Sequence, residues 1–200
     1  MGKDAPQSGE LILIRHAPIA EPGRLCGQRD VAARIDPEAI IPLRDALPVV
    51  GRVVTSPALR CRQTADALWP DHDQTHDPRL WEQDFGAHDG LPHDRLPDLG
   101  PMDARTLSDW TPPGGESFSD LCARVAPALS EHALTACGLG RPLALVVHAG
   151  VVRAAVAQVT GTVHAGLAFE VANLSVTRLR CGADGPFSVI EVNRECPRRS

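Results

Sequence analysis

Leu11-Ile12-Leu13-Ile14-Arg15-His16-Ala17-Pro18 is the stretch that decides the fold. Four aliphatic residues in succession are too few for a helix and suit a strand buried on both faces, as in a parallel sheet. Pro18 then helps to end regular structure. Ligands of open α/β sheets bind at the carboxyl ends of such strands, so Arg15 and His16 stand where chemistry is expected. A guanidinium beside an imidazole offers an anion clamp next to a nucleophile or acid–base group. Alone, the pair is equally compatible with a strand that ends in two surface polar residues.

Working outward, Leu143-Ala144-Leu145-Val146-Val147 repeats the pattern and again ends in a histidine, His148. Gly51–Thr55 predicts a short strand between them, followed by a helix that Ser56-Pro57 would start and Pro70 would stop. Asp36-Pro37 predicts another helix start, with Pro42 interrupting or kinking the segment that runs on to about Leu47. Asp71–Asp77 reads as a polar loop, and Asp94–Thr111 as holding one short helix. An amphipathic pattern runs from Glu116-Ser117 to about Cys137, with Leu121, Val125, Leu129 and Leu134 on one side. Val151–Thr160 predicts a helix closed by Gly161, and Ser175–Arg180 with Phe187–Val192 a closing pair of strands. Strands alternating with helices predict a three-layer α/β/α sandwich whose central sheet is mostly parallel, with helices on both faces. Its parallel strands place Arg15, His16 and His148 on one rim.

Two hundred residues with 43% hydrophobic content fit one domain, residues 1–200, with mobile ends at about 1–9 and 194–200. A net charge of −5 argues against nucleic acid or an anionic membrane as partner, so any anion site must come from a few converging basic groups. No apolar run approaches a membrane span, and the polar Met1–Glu10 carries no signal core. Cys26, Cys61, Cys122, Cys137, Cys181 and Cys196 are scattered without a C-x-x-C pair, which suits reduced thiols in a cytoplasmic protein. Asp71-His72-Asp73 with His76-Asp77 has metal-like composition but suits a solvated loop better.

In this order the motifs resemble those of the histidine phosphatase superfamily, the phosphoglycerate mutase-like family. Leu13-Ile14-Arg15-His16 is similar to its first motif, with Ala17 where glycine is usual. Thr55–Ala65 is similar to the second, its key arginine falling on Arg60, and Leu80–Gly86 to the segment that carries the acid, here Glu82. Gly114–Ser117 with Arg124-Val125, Val147–Arg153 with Ala149 in place of a common glycine, and Asn173–Thr177 continue the match.

The resemblance implies a metal-independent, cofactor-free phosphatase that acts on a small phosphate ester through a phosphohistidine. It assigns the nucleophile to His16, the proton donor and later base to Glu82, and the phosphate clamp to Arg15, Arg60 and His148. Ala149 joins the substrate contacts, and Gln28 and Arg29 lie in the family's substrate-facing loop. Such residues make chemical sense: guanidiniums neutralise phosphate oxygens for in-line attack, and a carboxyl protonates the leaving alkoxide. The short segment between Glu82 and Glu116 points to the phosphatase branch, not to a phosphoglycerate or phosphosugar mutase. Within it, Gly27–Val31, Glu82–Gly86 and Pro113–Ser117 are similar to α-ribazole phosphatases of cobalamin synthesis. A non-catalytic phospholigand-binding relative, or an enzyme that dephosphorylates protein histidines, stays open; the first would be marked by loss of His16, Arg60 or His148, and all three are present. No oligomeric state is specified.

Overall fold

The computed structural model describes residues 8–196. A six-stranded sheet of order β3-β2-β4-β1-β5-β6 forms the middle layer. Strands β1 (Gly9–Arg15), β2 (Arg52–Thr55), β3 (Gln74–His76) and β4 (Leu143–Val147) run parallel to one another. β5 (Val176–Gly182) pairs antiparallel with β1, and β6 (Gly185–Arg194) antiparallel with β5, so the sheet is mixed with a parallel majority.

Alternate residues of the central strands feed opposite faces. Leu11, Leu13, Leu143, Leu145 and Val147 meet α4 (Phe118–Leu139) and α5 (Ala149–Thr160). Ile12, Ile14, Ala144 and Val146 meet α1 (Pro37–Ala46) and α2 (Leu59–Leu68). All nine strand residues are fully buried, the three-layer arrangement that the sequence implies. No helix among the described residues is long and apolar enough to cross a membrane.

Local chemistry sets the boundaries. Asp36 caps α1 through the Glu38 amide, Ser117 and Asp120 form a reciprocal capping box on α4, and Gly161 ends α5 at φ 69°. Pro42 does not interrupt α1; the helix continues to Ala46 with the proline inside it. The short helix expected between Asp94 and Thr111 is α3 (Ala104–Asp109).

Four readings are corrected. Gln74–His76 is an edge strand, not loop, and its polar composition concealed it. Ser56 does not cap α2, which begins at Leu59 with its amide held by the Asp30 carboxylate. Leu134 faces solvent while Leu121, Val125 and Leu129 are buried. Gly9 and Arg194, assigned to mobile ends, belong to β1 and β6; residues 1–7 and 197–200 of those ends lie outside the described residues.

Candidate active site

The parallel register pairs Arg15 with Val147, so His16 and His148 follow side by side at the rim. The His16 amide donates to the Val147 carbonyl (2.9 Å), and Asn173 Nδ2 donates to the His16 carbonyl (2.8 Å). These bonds from two directions fix the first histidine's backbone. The Ala17 amide is held by Thr64 Oγ1 (2.9 Å).

His16 is buried, and its Nδ1 lies 2.7 Å from the Ala17 carbonyl. A carbonyl only accepts, so Nδ1 carries the proton and Nε2 of the neutral ring keeps its lone pair. Burial, then the nearby Arg60 and Arg15 charges, push the His16 pKa down to about 3, partly opposed by that hydrogen bond. The ring is thus neutral, with its tautomer set by the chain.

Two guanidiniums flank it. Arg60 is wholly buried, its Nη1 and Nη2 donating to the carbonyls of Arg29 (2.8 Å) and Gly27 (2.7 Å) while its guanidinium lies 5.9 Å from the Trp81 ring centre. Arg15 Nη1 donates to the Val171 carbonyl (2.6 Å). The Nε atoms of both are buried without a hydrogen-bond partner. Buried donors of this kind are ordinarily satisfied; these two charged ones are left without a partner close to the His16 ring.

Glu82 is the buried carboxylate of the site. Its Oε1 accepts from the Gln83 amide (2.9 Å) and its Oε2 from the Gly150 amide (3.2 Å), in the first turn of α5. A Cβ on Gly150 would come within 2.2 Å of Oε1, so the close approach needs glycine there. The carbonyls of Arg79, Trp81 and Glu82 converge on Arg124, which Glu116 pairs from the other side. That cradle holds the acid turn, and it accounts for Glu116 and Arg124 appearing among the motifs.

Arg15, His16, Arg60, Glu82 and Ala149 line one cavity of about 430 Å³. His148 does not reach its wall. The ring is fully buried behind His16, edge-to-face with centres 5.2 Å apart, and Trp81 stacks on it at 6.3 Å. Its Nε2 is engaged by Ser56 Oγ (2.8 Å), the serine misread as a helix cap. Burial foremost, then the neighbouring Arg60, His16 and Arg15, holds its pKa well below the usual histidine value.

Gln28 and Arg29 also lie off the wall, because both backbone amides are drawn onto the Asp89 carboxylate. Gln28 Nε2 donates to the Glu82 carbonyl, and the Arg29 side chain crosses Gly90 towards Glu21 (3.7 Å). They shape the site instead of facing it. Neither Ala17 nor Ala149 has positive φ, so a methyl group in place of hydrogen strains neither turn.

His93 lines the cavity, whereas His88 stacks on Trp110. Arg153 Nε donates to the Phe169 carbonyl (2.9 Å), and the residue also lines the wall. Arg24 and Arg34 line it too; they come from loops whose composition carries no periodic signal. The residues around Asp71–Asp77 form no metal-holding group, and none with three or more His, Cys, Asp or Glu occurs among the described residues.

Residues 11–194 match the family described as histidine phosphatase superfamily (branch 1). A structure described as mycobacterial hydrolase 1 is 25% identical with a TM-score of 0.81, covering 94% of this chain and 99% of its own. The mycobacterial glucosyl-3-phosphoglycerate phosphatase is 25% identical with a TM-score of 0.78, covering 94% of this chain and all (100%) of its own. TTHB049 from Thermus thermophilus is 30% identical with a TM-score of 0.68 over 92% of this chain and 98% of its own. No functionally curated protein matches in sequence. With the match spanning both histidine-bearing strands and the acid segment, the chain belongs to branch 1 of the histidine phosphatase superfamily.

Proposed function

We propose that the chain is a metal-independent phosphatase that hydrolyses a small phosphomonoester through a phosphohistidine on His16. The observation that carries this reading is the neutral His16 ring, with Nε2 unprotonated, between Arg15 and Arg60, whose buried Nε–H groups have no partner. The name of the mycobacterial glucosyl-3-phosphoglycerate phosphatase supports it.

In the first step Nε2 attacks phosphorus in line, a P–N bond forms and the ester P–O bond breaks. Arg15 and Arg60 hold the non-bridging oxygens as charge spreads over them. Glu82 in its acid form gives its proton to the departing alkoxide. In the second step ionised Glu82 takes a proton from water, whose oxygen displaces the histidine and releases inorganic phosphate. His148 acts through His16 as a positioning residue, fixing its ring from behind. The arginines supply the positive charge that a metal would otherwise bring.

The test is hydrolysis of an aryl phosphate in excess chelator by the wild type and His16→Ala. Turnover insensitive to chelator, with radiolabelled phosphate trapped on His16 in an acid-labile form, is the expected result. Activity that survives His16→Ala, or vanishes with chelator, refutes the mechanism. Motif similarity makes α-ribazole 5′-phosphate one substrate to assay; the choice among phosphomonoesters turns on the cavity beyond the clamp.

A further inference from the structure

Among the described residues five arginines line the cavity, Arg15, Arg24, Arg34, Arg60 and Arg153, against one carboxylate, Glu82. This occurs in a chain whose net charge is −5, so the concentration is local. Arg15 and Arg60 match the two charges of a phosphomonoester. Arg153, on the second turn of α5, is close enough to Arg15 to act on it electrostatically. Arg24 and Arg34 stand exposed at the mouth.

The mouth is held in place. The Leu25 amide donates to the Leu91 carbonyl (2.9 Å), the Gly90 amide to Leu25 (2.8 Å) and the His93 amide to Gly23 (2.9 Å), and Arg24 Nη1 donates to the Gly90 carbonyl (2.8 Å). Arg24 is therefore anchored by one nitrogen with others free. The Arg34 amide donates to the Pro18 carbonyl (2.6 Å), and its guanidinium has no hydrogen bond or ion pair among the described residues. Grouping like charges is unfavourable unless an anion is bound between them. The phosphate clamp accounts for two, and Glu82 offsets a third.

Resting on the phosphatase reading, we propose that the substrate is a phosphomonoester bearing a second anionic group, a carboxylate or another phosphate, recognised at the mouth by Arg24 and Arg34. The chemistry of the two anions is shared, namely charge-assisted and bidentate acceptance from guanidinium. α-Ribazole 5′-phosphate, whose only anion is the ester phosphate, is then disfavoured.

Steady-state hydrolysis of three esters tests this. 3-Phosphoglycerate carries a carboxylate, glycerol 3-phosphate replaces that carboxylate with a hydroxymethyl group, and fructose 1,6-bisphosphate carries a second phosphate. An aryl phosphate reports basal chemistry. We expect kcat/KM at least about tenfold higher on one of the two esters with a second anion than on glycerol 3-phosphate, since each tenfold reflects only about 1.4 kcal/mol. Which one leads identifies the second anion. The Arg24→Gln, Arg34→Gln double variant is expected to erase most of the ratio, through KM. Equal kcat/KM on all three with normal aryl phosphate turnover overturns this inference and leaves the phosphatase reading standing. A preference undiminished in the double variant overturns it as well, and a wild type that turns over none of the four overturns both readings.

Discussion

Two clusters in this molecule combine histidine, arginine and carboxylate, and they differ in one respect. Around Asp77 every charge is answered: its carboxylate accepts from Arg79 Nε (3.0 Å) and Nη2 (2.8 Å) and from His132 Nε2 (3.0 Å), while Arg79 also pairs with Glu131 (2.7 Å). Around His16 the cations outnumber the acids, and the Nε atoms of Arg15 and Arg60 have no partner. The first is a closed knot that ties α4 to the turn before Glu82. The second is an open set of donors. Composition alone does not separate them, since the sequence around Asp77 looked the more metal-like. What separates them is whether the charges are mutually satisfied.

Breaking each cluster sharpens the contrast. Arg60→Gln is expected to lower kcat/KM by about 10³-fold, the scale for losing a donor to developing transition-state charge. It also strips the Gly27 and Arg29 carbonyls of their donors, so a thermal melt accompanies the kinetics. Asp77→Asn is expected to leave kcat/KM near the wild-type value while destabilising the fold by about 1–3 kcal/mol, the loss for charged hydrogen-bond acceptors. If Asp77→Asn abolished turnover without loosening the fold, the division between the two clusters would be wrong.

Gly150→Ala probes the site more gently. The new methyl group meets Glu82 Oε1 at 2.2 Å and must push the carboxylate off its two amides. General acid–base catalysis contributes ~10²–10⁴-fold, so kcat is expected to fall by about 10²-fold with little change in phosphate binding. An unchanged kcat would remove Glu82 from the proton-transfer role.

Where these positions were legible, a local pattern carried them. Arg15, His16 and His148 follow unbroken apolar strands, and Arg60 lies in the first turn after a third. The three layers were legible for the same reason, because runs such as Leu143–Val147 leave few alternatives to a doubly covered sheet. Other features depend on residues far apart in the chain. Nothing near Arg60 announces that the Gly27 and Arg29 carbonyls hold it, and nothing near Gln28 shows its amide turned back to Glu82. Ser56 has the sequence of a cap and the surroundings of a histidine support. Arg24 and Arg34 occupy irregular loops, where only tertiary structure decides what a side chain faces.

The smallest effect expected separates the clusters by proton uptake. In the unfolded chain both site histidines titrate near 6.5, whereas in the fold His16 titrates at about 3 and His148 well below 6.5, in each case chiefly through burial. Between these limits the unfolded state binds protons that the native state refuses. Stability therefore rises with pH in this window and is lost as pH falls below about 6.5, by up to about 1.4 kcal/mol per pH unit for each histidine. His132 shifts in the same direction, again mainly through burial, but Asp77 opposes the change by stabilising its charged form. Urea unfolding at pH 7, 6, 5 and 4 reads the slope directly. His16→Asn should flatten it by about one proton's worth, whereas His132→Asn should flatten it by less. If both variants flattened it equally, the open cluster would be no more hostile to a proton than the closed one, and the nucleophile proposed at His16 would lose its electrostatic basis.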